Sequence, residues 1–131
     1  MSLNELAKIY YQFFSEGYYI NPKYIYSINN QKISIKKQIL NNISIINKIK
    51  LLLEAPFNNT IPHSTCGHLS NIINTKCYGK SGLTDYDSYL VGFNEHNLYA
   101  VWCGDINNNK LNNSSYKALP KELFVKAINI N

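Results

Sequence analysis

Three strand-like segments separated by short polar loops most constrain the fold of this chain. They span residues 76 to 83, 87 to 94 and 98 to 104. Side chains of a strand point alternately to its two faces. The alternation places one row of side chains on a shared face of the last two segments: Tyr89, Val91 and Phe93, then Leu98, Ala100 and Trp102. With a polar hairpin loop over residues 94 to 97, the pattern predicts an antiparallel sheet.

Helical patterns flank these strands. Ser2 and Glu5 form a capping box ahead of an apolar stripe, and Gly17 fits the left-handed residue that ends a helix. The stripe has helical spacing and consists of Leu6, Ile9, Tyr10, Phe13 and Phe14. A terminal helix is predicted to start at Pro120, a residue favoured in a first turn. Its predicted inward face comprises Leu123, Phe124, Ala127 and Ile128.

The region between residues 20 and 60 is less regular. Residues 24 to 28 are rich in aromatic and β-branched side chains, which predicts an additional strand, and Ile33 and Ile35 suggest a short return strand. A second helix is predicted over residues 42 to 54, ended by Pro56. Its predicted apolar face comprises Ile45, Ile46, Ile49, Leu52 and Leu53.

Length and composition set bounds on function. The chain has 131 residues, 45% of them hydrophobic, which suits one domain or a large part of one. No apolar run approaches the roughly 18 to 20 residues of a membrane span, and no signal peptide pattern is present. Residues 1 to 3 are compatible with a leader fused to an internal fragment. The net charge of +5 and 11 tyrosines leave nucleic-acid binding as a remote alternative, since no binding motif accompanies them.

The cysteines and histidines do not predict a metal site. Cys66 lies between His63 and His68, but this group lacks a fourth ligand, and the chain has no C-x-x-C pair. A disulfide between Cys66 and Cys77 is conceivable in an exported protein, although buried free thiols are the favoured interpretation. We therefore expect neither a metal nor another cofactor.

The triplet Lys80-Ser81-Gly82 suits a strand edge that binds a carboxylate, because it combines a cation, a hydroxyl and room for a substrate backbone. The segment "DSYLVGF" follows at residues 87 to 93, and "VWCG" at residues 101 to 104. Together they resemble the C-terminal half of the penicillin-binding transpeptidase domain. In that family a K-[ST]-G triplet precedes D-x-[WF]-F-V-G-[FY] and V-x-V-W-x-G.

The opening of the chain resembles the same family, which has A-x-x-Y-x-x-F-x-x-x-G followed by x-x-P-x-x-I-x-x-I. The matching residues are Ala7, Tyr10 or Tyr11, Phe14, Gly17, Pro22, Ile25 and Ile28. Ser64-Thr65-Cys66 stands, as a looser match, where the family has a Gly-Thr-Ala-like element. The resemblance extends from residue 3 to about residue 128, although it covers only the second half of the family's domain.

The resemblance implies roles for the residues around the triplet. Lys80 would supply positive charge and support proton transfer, Ser81 would bind the substrate carboxylate, and Gly82 would keep the strand open. The backbone N–H of Leu83 would be one of two oxyanion donors. The family usually has Thr at that position, so a hydroxyl is lost here, and Thr84 is expected to compensate. Asp87 would orient the strand pair and take no part in the chemistry.

The family's nucleophile motif is missing from this chain. In the family, S-x-x-K supplies the serine and its base, and S-x-N assists proton transfer. Ser34-Ile35-Lys36-Lys37 and Ser27-Ile28-Asn29 match these patterns literally, but in reversed order and in segments that do not predict a helix start. We expect neither to be catalytic, so the chain alone is predicted to be inactive.

The sequence thus predicts a single α+β domain over residues 1 to 131, with the N- and C-terminal helices packed on one face of an antiparallel sheet. By resemblance it is a fragment of a D,D-transpeptidase that crosslinks peptidoglycan stem peptides. The parent would be anchored in the bacterial inner membrane, with this domain on the outer side. Expected partners are a stem peptide or β-lactam, the missing N-terminal part, and a second copy through the truncated face. A non-catalytic interaction module is the main alternative.

Overall fold

The computed structural model describes residues 1–20, 27–29, 31–32, 37–39 and 42–130. Along these ranges the chain forms three α-helices and seven β-strands, which confirms the α+β class. The helices are α1 (Leu3–Phe14), α2 (Ile43–Glu54) and α3 (Ser114–Ile128). The strands are β1 (Tyr18–Ile20), β2 (Ser27–Ile28), β3 (Gln31–Lys32), β4 (Lys37–Ile39), β5 (Tyr78–Leu83), β6 (Asp87–Phe93) and β7 (Leu98–Gly104). Two 3-10 helices span Ala55–Phe57 and Gly67–Asn71.

The main sheet has the order β5-β6-β7 and is antiparallel throughout, as predicted. Its register aligns Gly82 with Tyr89 and Tyr89 with Trp102, so these three residues form a row across the sheet. The predicted alternation is confirmed, since each member of the β6 row has its β7 counterpart directly opposite: Tyr89 with Trp102, Val91 with Ala100, and Phe93 with Leu98.

The two terminal helices cover opposite faces of this sheet, which corrects the expectation that they share one face. The ring of Phe14 in α1 contacts Phe93 with 6.0 Å between centroids. The neighbouring Gly92 points the other way, where a Cβ atom would lie 2.9 Å from the Phe124 ring of α3. Both faces of β6 must be covered because four successive residues are buried: Leu90, Val91, Gly92 and Phe93.

Helix α1 begins at the predicted cap, Ser2, and ends at Phe14, although Ile9 of the predicted inward stripe is 42% exposed. The Ser2 backbone N–H donates to the Glu5 carboxylate at 2.6 Å, and the Glu5 N–H donates to Ser2 Oγ at 3.3 Å, which completes the capping box. After the helix, Gly17 has a φ of 97°, a left-handed conformation that glycine adopts without a steric penalty.

Helix α2 confirms the predicted helix but has a narrower buried stripe. The side chain of Asn42 caps its first turn by accepting the Ser44 N–H at 2.8 Å. The helix packs against β5 and α1, and Ile46 is fully buried. The predicted inward residues Ile45 and Leu52 are 53% and 72% exposed, so their assignment to the core was wrong.

Helix α3 begins six residues before the predicted start at Pro120. Asn113 caps it by accepting the Ser115 N–H at 2.9 Å, and Pro120 lies inside the helix, fully buried. An internal proline leaves one carbonyl of the preceding turn without its helical donor. Phe124 and Ile128 are buried as predicted, whereas Leu123 is 42% exposed.

Two short antiparallel strand pairs lie between α1 and α2. Ser27–Ile28 is a strand, as predicted for the end of residues 24 to 28, but it pairs with β3 in a separate two-stranded sheet and adds no strand to the main sheet. Residues 24 to 26 lie outside the described ranges, as do Ile33 and Ile35. The sequence did not predict the pairing of β1 with β4.

A hydrophobic core cluster lies between the sheet and α3. It contains Phe57, Cys66, Leu69, Ile73, Cys77, Leu90, Phe124 and Ile128. Cys66 and Cys77 are buried free thiols, as the favoured interpretation of the sequence had it. In the part of the chain that the structure describes, no helix has the length and apolar character needed to cross a membrane.

Candidate functional site

The K-S-G triplet lies on β5, which is an edge strand of the main sheet. The Thr84 N–H donates to the Asp87 carbonyl at 2.8 Å, which fixes these two residues as a hydrogen-bonded pair. Because such pairs recur at every second residue of an antiparallel ladder, Lys80 and Gly82 direct their backbone groups toward β6. The N–H and C=O groups of Ser81 and Leu83 therefore face outward from the sheet.

Lys80 places its charge beside these outward groups. Its Nζ donates to the Ser81 carbonyl at 2.8 Å, so the ammonium lies along the open edge of the strand. The Lys80 side chain is exposed and Leu83 is 60% exposed. The arrangement combines a cation, the Ser81 hydroxyl and two outward backbone N–H groups, which are donors suited to a carboxylate or an oxyanion.

Thr84 belongs to the β5–β6 turn. Its Oγ1 accepts the Tyr86 N–H at 3.1 Å and the Asp87 N–H at 2.9 Å. A hydroxyl that accepts two backbone donors stabilises the turn. The structure thus holds the Thr84 oxygen within the turn, so the expectation that it replaces a hydroxyl at position 83 has no support from its contacts.

An aromatic ring covers Gly82, which the sequence did not indicate. A Cβ atom at this position would lie 2.1 Å from Tyr89 Cζ, so the Tyr89 ring lies directly over the glycine. The absence of a side chain therefore serves the packing of Tyr89 across the strand pair. The contact could have been predicted only with knowledge of the strand register, which pairs Gly82 with Tyr89.

A hollow of about 270 Å³ lies beside Lys80 and is lined in part by Leu52, His63 and Ser64. No hydrogen bond joins Ser64, His63 and Lys80 among the described residues. A Cβ atom on Gly67 would lie 2.0 Å from Ser64 Oγ, so this hydroxyl packs against Gly67. The structure therefore brings a serine near the triplet without the contacts that activate a nucleophile.

The two literal matches to the missing motifs do not form a site in the described residues. Ser34, Ile35 and Lys36 lie outside the described ranges. Ser27 and Ile28 form β2, where Ser27 pairs with Lys32, and Asn29 lies in the following turn.

Cys66 and Cys77 lack the features of reactive thiols. Cys66 is fully buried and Cys77 is 4% exposed, and both belong to the core cluster. Burial raises the pKa of the Cys77 thiol to about 11, which keeps it protonated near neutral pH. Over the described ranges no group of three His, Cys, Asp or Glu side chains is placed to hold a metal ion.

Asp87 links the two hairpin strands. Its Oδ1 accepts the Trp102 Nε1–H at 2.8 Å, joining β6 to the neighbouring β7. This contact agrees with the structural role that the sequence suggested for Asp87. Both side chains also line a trough of about 460 Å³ at the N-terminal end of α1.

Comparison with known proteins finds no family model that matches this chain and no curated protein similar to it. The functional assignment therefore rests on the motif residues and on the geometry of β5.

Proposed function

We propose that this chain is the C-terminal portion of a penicillin-binding D,D-transpeptidase domain and forms the K-S-G wall of its site. The observation that carries the proposal is the position of Lys80-Ser81-Gly82 on an edge strand whose Ser81 and Leu83 backbone groups face outward. Such a strand can pair with an extended peptide by adding backbone hydrogen bonds. The parent enzyme crosslinks peptidoglycan stem peptides on the outer side of the bacterial inner membrane.

The residues of this wall would bind and orient the donor peptide. The Lys80 ammonium and Ser81 hydroxyl bind the terminal carboxylate, and the Leu83 N–H stabilises the oxyanion that forms when the penultimate D-Ala carbonyl is attacked. Before substrate binds, Lys80 Nζ donates to the Ser81 carbonyl, so this contact must be exchanged for contacts to the peptide. The attacking serine and its lysine base would come from the upstream part of the domain.

The surface beside β5 supports the idea that another part of the domain covers it. Leu52 and Leu83 are 72% and 60% exposed, and Ile61 is 39% exposed. Leu52 and Ile61 line the hollow next to Lys80. Exposed apolar side chains grouped in this way are typical of an interface. The N-terminal half of the transpeptidase domain is the partner that the proposal assigns to it.

Titration with N-acetyl-D-Ala-D-Ala, followed by amide chemical shifts, tests the binding role. We expect the largest shifts at the Ser81 and Leu83 amides, with millimolar affinity. Lys80→Gln should weaken binding about 2- to 5-fold, as expected for a solvent-exposed ion pair. Lys126→Gln is the matched control, because Lys126 is exposed on α3 at the opposite face of the sheet. Shifts spread over other residues, or equal effects of both variants, would contradict the proposal.

Incubation of the chain with a fluorescent penicillin tests the missing nucleophile. We expect no covalent band on a denaturing gel, because Ser64 lacks an activating contact. A covalent band would show that a working nucleophile lies within these residues, and Ser34→Ala and Ser64→Ala would then locate it.

A non-catalytic interaction module is the second candidate, because among the described residues Ser64, which lines the hollow beside Lys80, makes no hydrogen bond to His63 or Lys80. The two candidates differ in the coding sequence upstream of Met1. An in-frame upstream segment that encodes S-x-x-K and then S-x-N supports the transpeptidase fragment. A continuous upstream reading frame without these motifs supports the interaction module.

A further inference from the structure

Two aromatic side chains form the walls of the trough beside α1. Tyr89 and Trp102 are directly opposite each other on β6 and β7. They occupy a pair without backbone hydrogen bonds, in which side chains come closest. Tyr89 leans over Gly82, whereas Trp102 leans over Gly104, where a Cβ atom would lie 2.2 Å from the indole ring. Because the rings lean toward different glycines, they leave a trough between them.

A carboxylate lies at the polar end of the trough. Asp87 Oδ1 accepts the indole N–H of Trp102 at 2.8 Å, and no described residue donates to its Oδ2. The hydrogen bond fixes the edge of the indole, while the side chain remains 48% exposed. The electron-rich face of the ring and the second carboxylate oxygen are therefore both available to a ligand.

The remaining wall is formed by the first residues of the chain. Met1, Leu3 and Leu6 supply apolar side chains, Ser2 adds a hydroxyl, and Thr84 lies at the turn. The volume of about 460 Å³ is within the range of small-molecule sites, which combine mostly apolar walls with a few polar groups. Lys80 does not line this trough; it lines the hollow beside Leu52 and Ser64.

We propose that this trough binds a small organic ammonium ion. Aromatic faces attract cations, and the carboxylate of Asp87 adds a full negative charge at the same place. The leucines accommodate the alkyl groups of such a ligand. An anion would be repelled by Asp87, and a purely apolar ligand would leave the carboxylate oxygen without a partner. The proposal uses a different set of side chains from the Lys80 edge and is independent of the transpeptidase assignment.

The fluorescence of Trp102 provides a direct test, because it is the only tryptophan of the chain. The probes are choline and its neutral isostere 3,3-dimethylbutan-1-ol. We expect a saturable change with choline at a Kd of about 0.1 to 10 mM, and at least about 5-fold weaker binding of the alcohol. An equal response to the two probes, or no saturation up to about 100 mM choline, would overturn the proposal.

The variant Asp87→Asn tests whether the negative charge of Asp87, and not its hydrogen bond to Trp102, is responsible for binding the ammonium ion. An asparagine carbonyl can still accept the indole N–H, so the fold is retained while the negative charge is lost. We expect the preference for choline over the alcohol to fall to about 2-fold or less. Asp105→Asn is the matched control, since Asp105 is an exposed loop carboxylate.

Circular dichroism of the Asp87→Asn protein confirms that it is folded, and Tyr89→Leu provides a second variant that should weaken choline binding. An unchanged preference in Asp87→Asn, or an equal loss in Asp105→Asn, would contradict the proposed site.

Discussion

At the scale of single residues, Gly82 connects the proposed K-S-G wall with the aromatic trough. An alanine there would place its Cβ 2.1 Å from the Tyr89 ring, so the ring must move. We expect Gly82→Ala to lower the free energy of unfolding by about 1 to 2 kcal/mol, as measured by urea denaturation. The backbone at Gly82 does not have a positive φ, so the cost should come mainly from this one contact.

A double-mutant cycle checks the cause of this loss. In a Tyr89→Ala background the clash is absent, and Gly82→Ala should cost less than about 0.5 kcal/mol. The same cost in both backgrounds would show that the glycine is needed for its backbone conformation and not for the ring.

Cys77 predicts a pH dependence of stability. Burial raises its thiol pKa from 9.0 to about 11, so between these values the unfolded chain loses a proton that the folded chain keeps. Stability from this group is therefore fully present below about pH 9 and is lost as pH rises toward about 11. Cys77→Ala should reduce the alkaline loss of unfolding free energy by about 1 to 2 kcal/mol in urea titrations.

The contribution of Cys77 is isolated by comparing how steeply the free energy of unfolding falls with pH in the variants and in the unmutated protein. Tyr10 and Tyr11 also have raised pKa values, caused first by burial, and they add to the alkaline loss in both proteins. Cys103→Ala, at a partly exposed cysteine, should show the same pH dependence of the unfolding free energy as the unmutated protein. If Cys77→Ala had the same pH dependence as the unmutated protein, the alkaline loss of stability could not be assigned to the Cys77 thiol.

At the scale of elements, local signals predicted the parts that local interactions determine. The capping box located α1, and the strand patterns located β5, β6 and β7, although not their register. The pairing of β1 with β4 was missed because it joins segments far apart in sequence, without an alternating pattern. The start of α3 was missed because the preference of proline for a first turn outweighed the cap at Asn113.

In the candidate site, too, the sequence predicted what local patterns determine and missed what depends on tertiary packing. The placement of Lys80-Ser81-Gly82 on a strand follows from the apolar pattern around it. Their position at an open edge, and the outward direction of the Ser81 and Leu83 backbone, depend on which strands pair and were seen only in the structure. The ring over Gly82 and the hollow with Ser64 also arise from tertiary packing.

The corrected start of α3 gives an element-scale prediction. Asn113→Ala removes the side-chain acceptor for the Ser115 N–H and should cost about 1 kcal/mol of stability. Asn113→Asp keeps an acceptor and should be nearly neutral in thermal unfolding. Asn112→Ala, one residue earlier, is the control. A neutral Asn113→Ala would indicate that the helix starts closer to Pro120, as the sequence had suggested.

At the scale of the whole molecule, the surface beside β5 should make the isolated chain associate with itself. Leu52 of α2 is 72% exposed, Leu83 of β5 is 60% exposed and Ile61 is 39% exposed. Exposed apolar side chains of this kind favour association with another protein surface. A second copy is the only partner present in a purified sample, so we expect concentration-dependent dimers.

Sedimentation velocity of Leu52→Glu provides the measurement. The substitution places a charge on an exposed position, so it should leave thermal stability within about 0.5 kcal/mol of the parent and weaken self-association at least about 10-fold. Leu123→Glu makes the same charge change at a 42% exposed leucine of α3, on the other face of the sheet, and should leave association unchanged. A parent chain that stays monomeric would show that the open surface does not drive assembly. Equal weakening by both variants would mean that net charge, and not the surface beside β5, controls association.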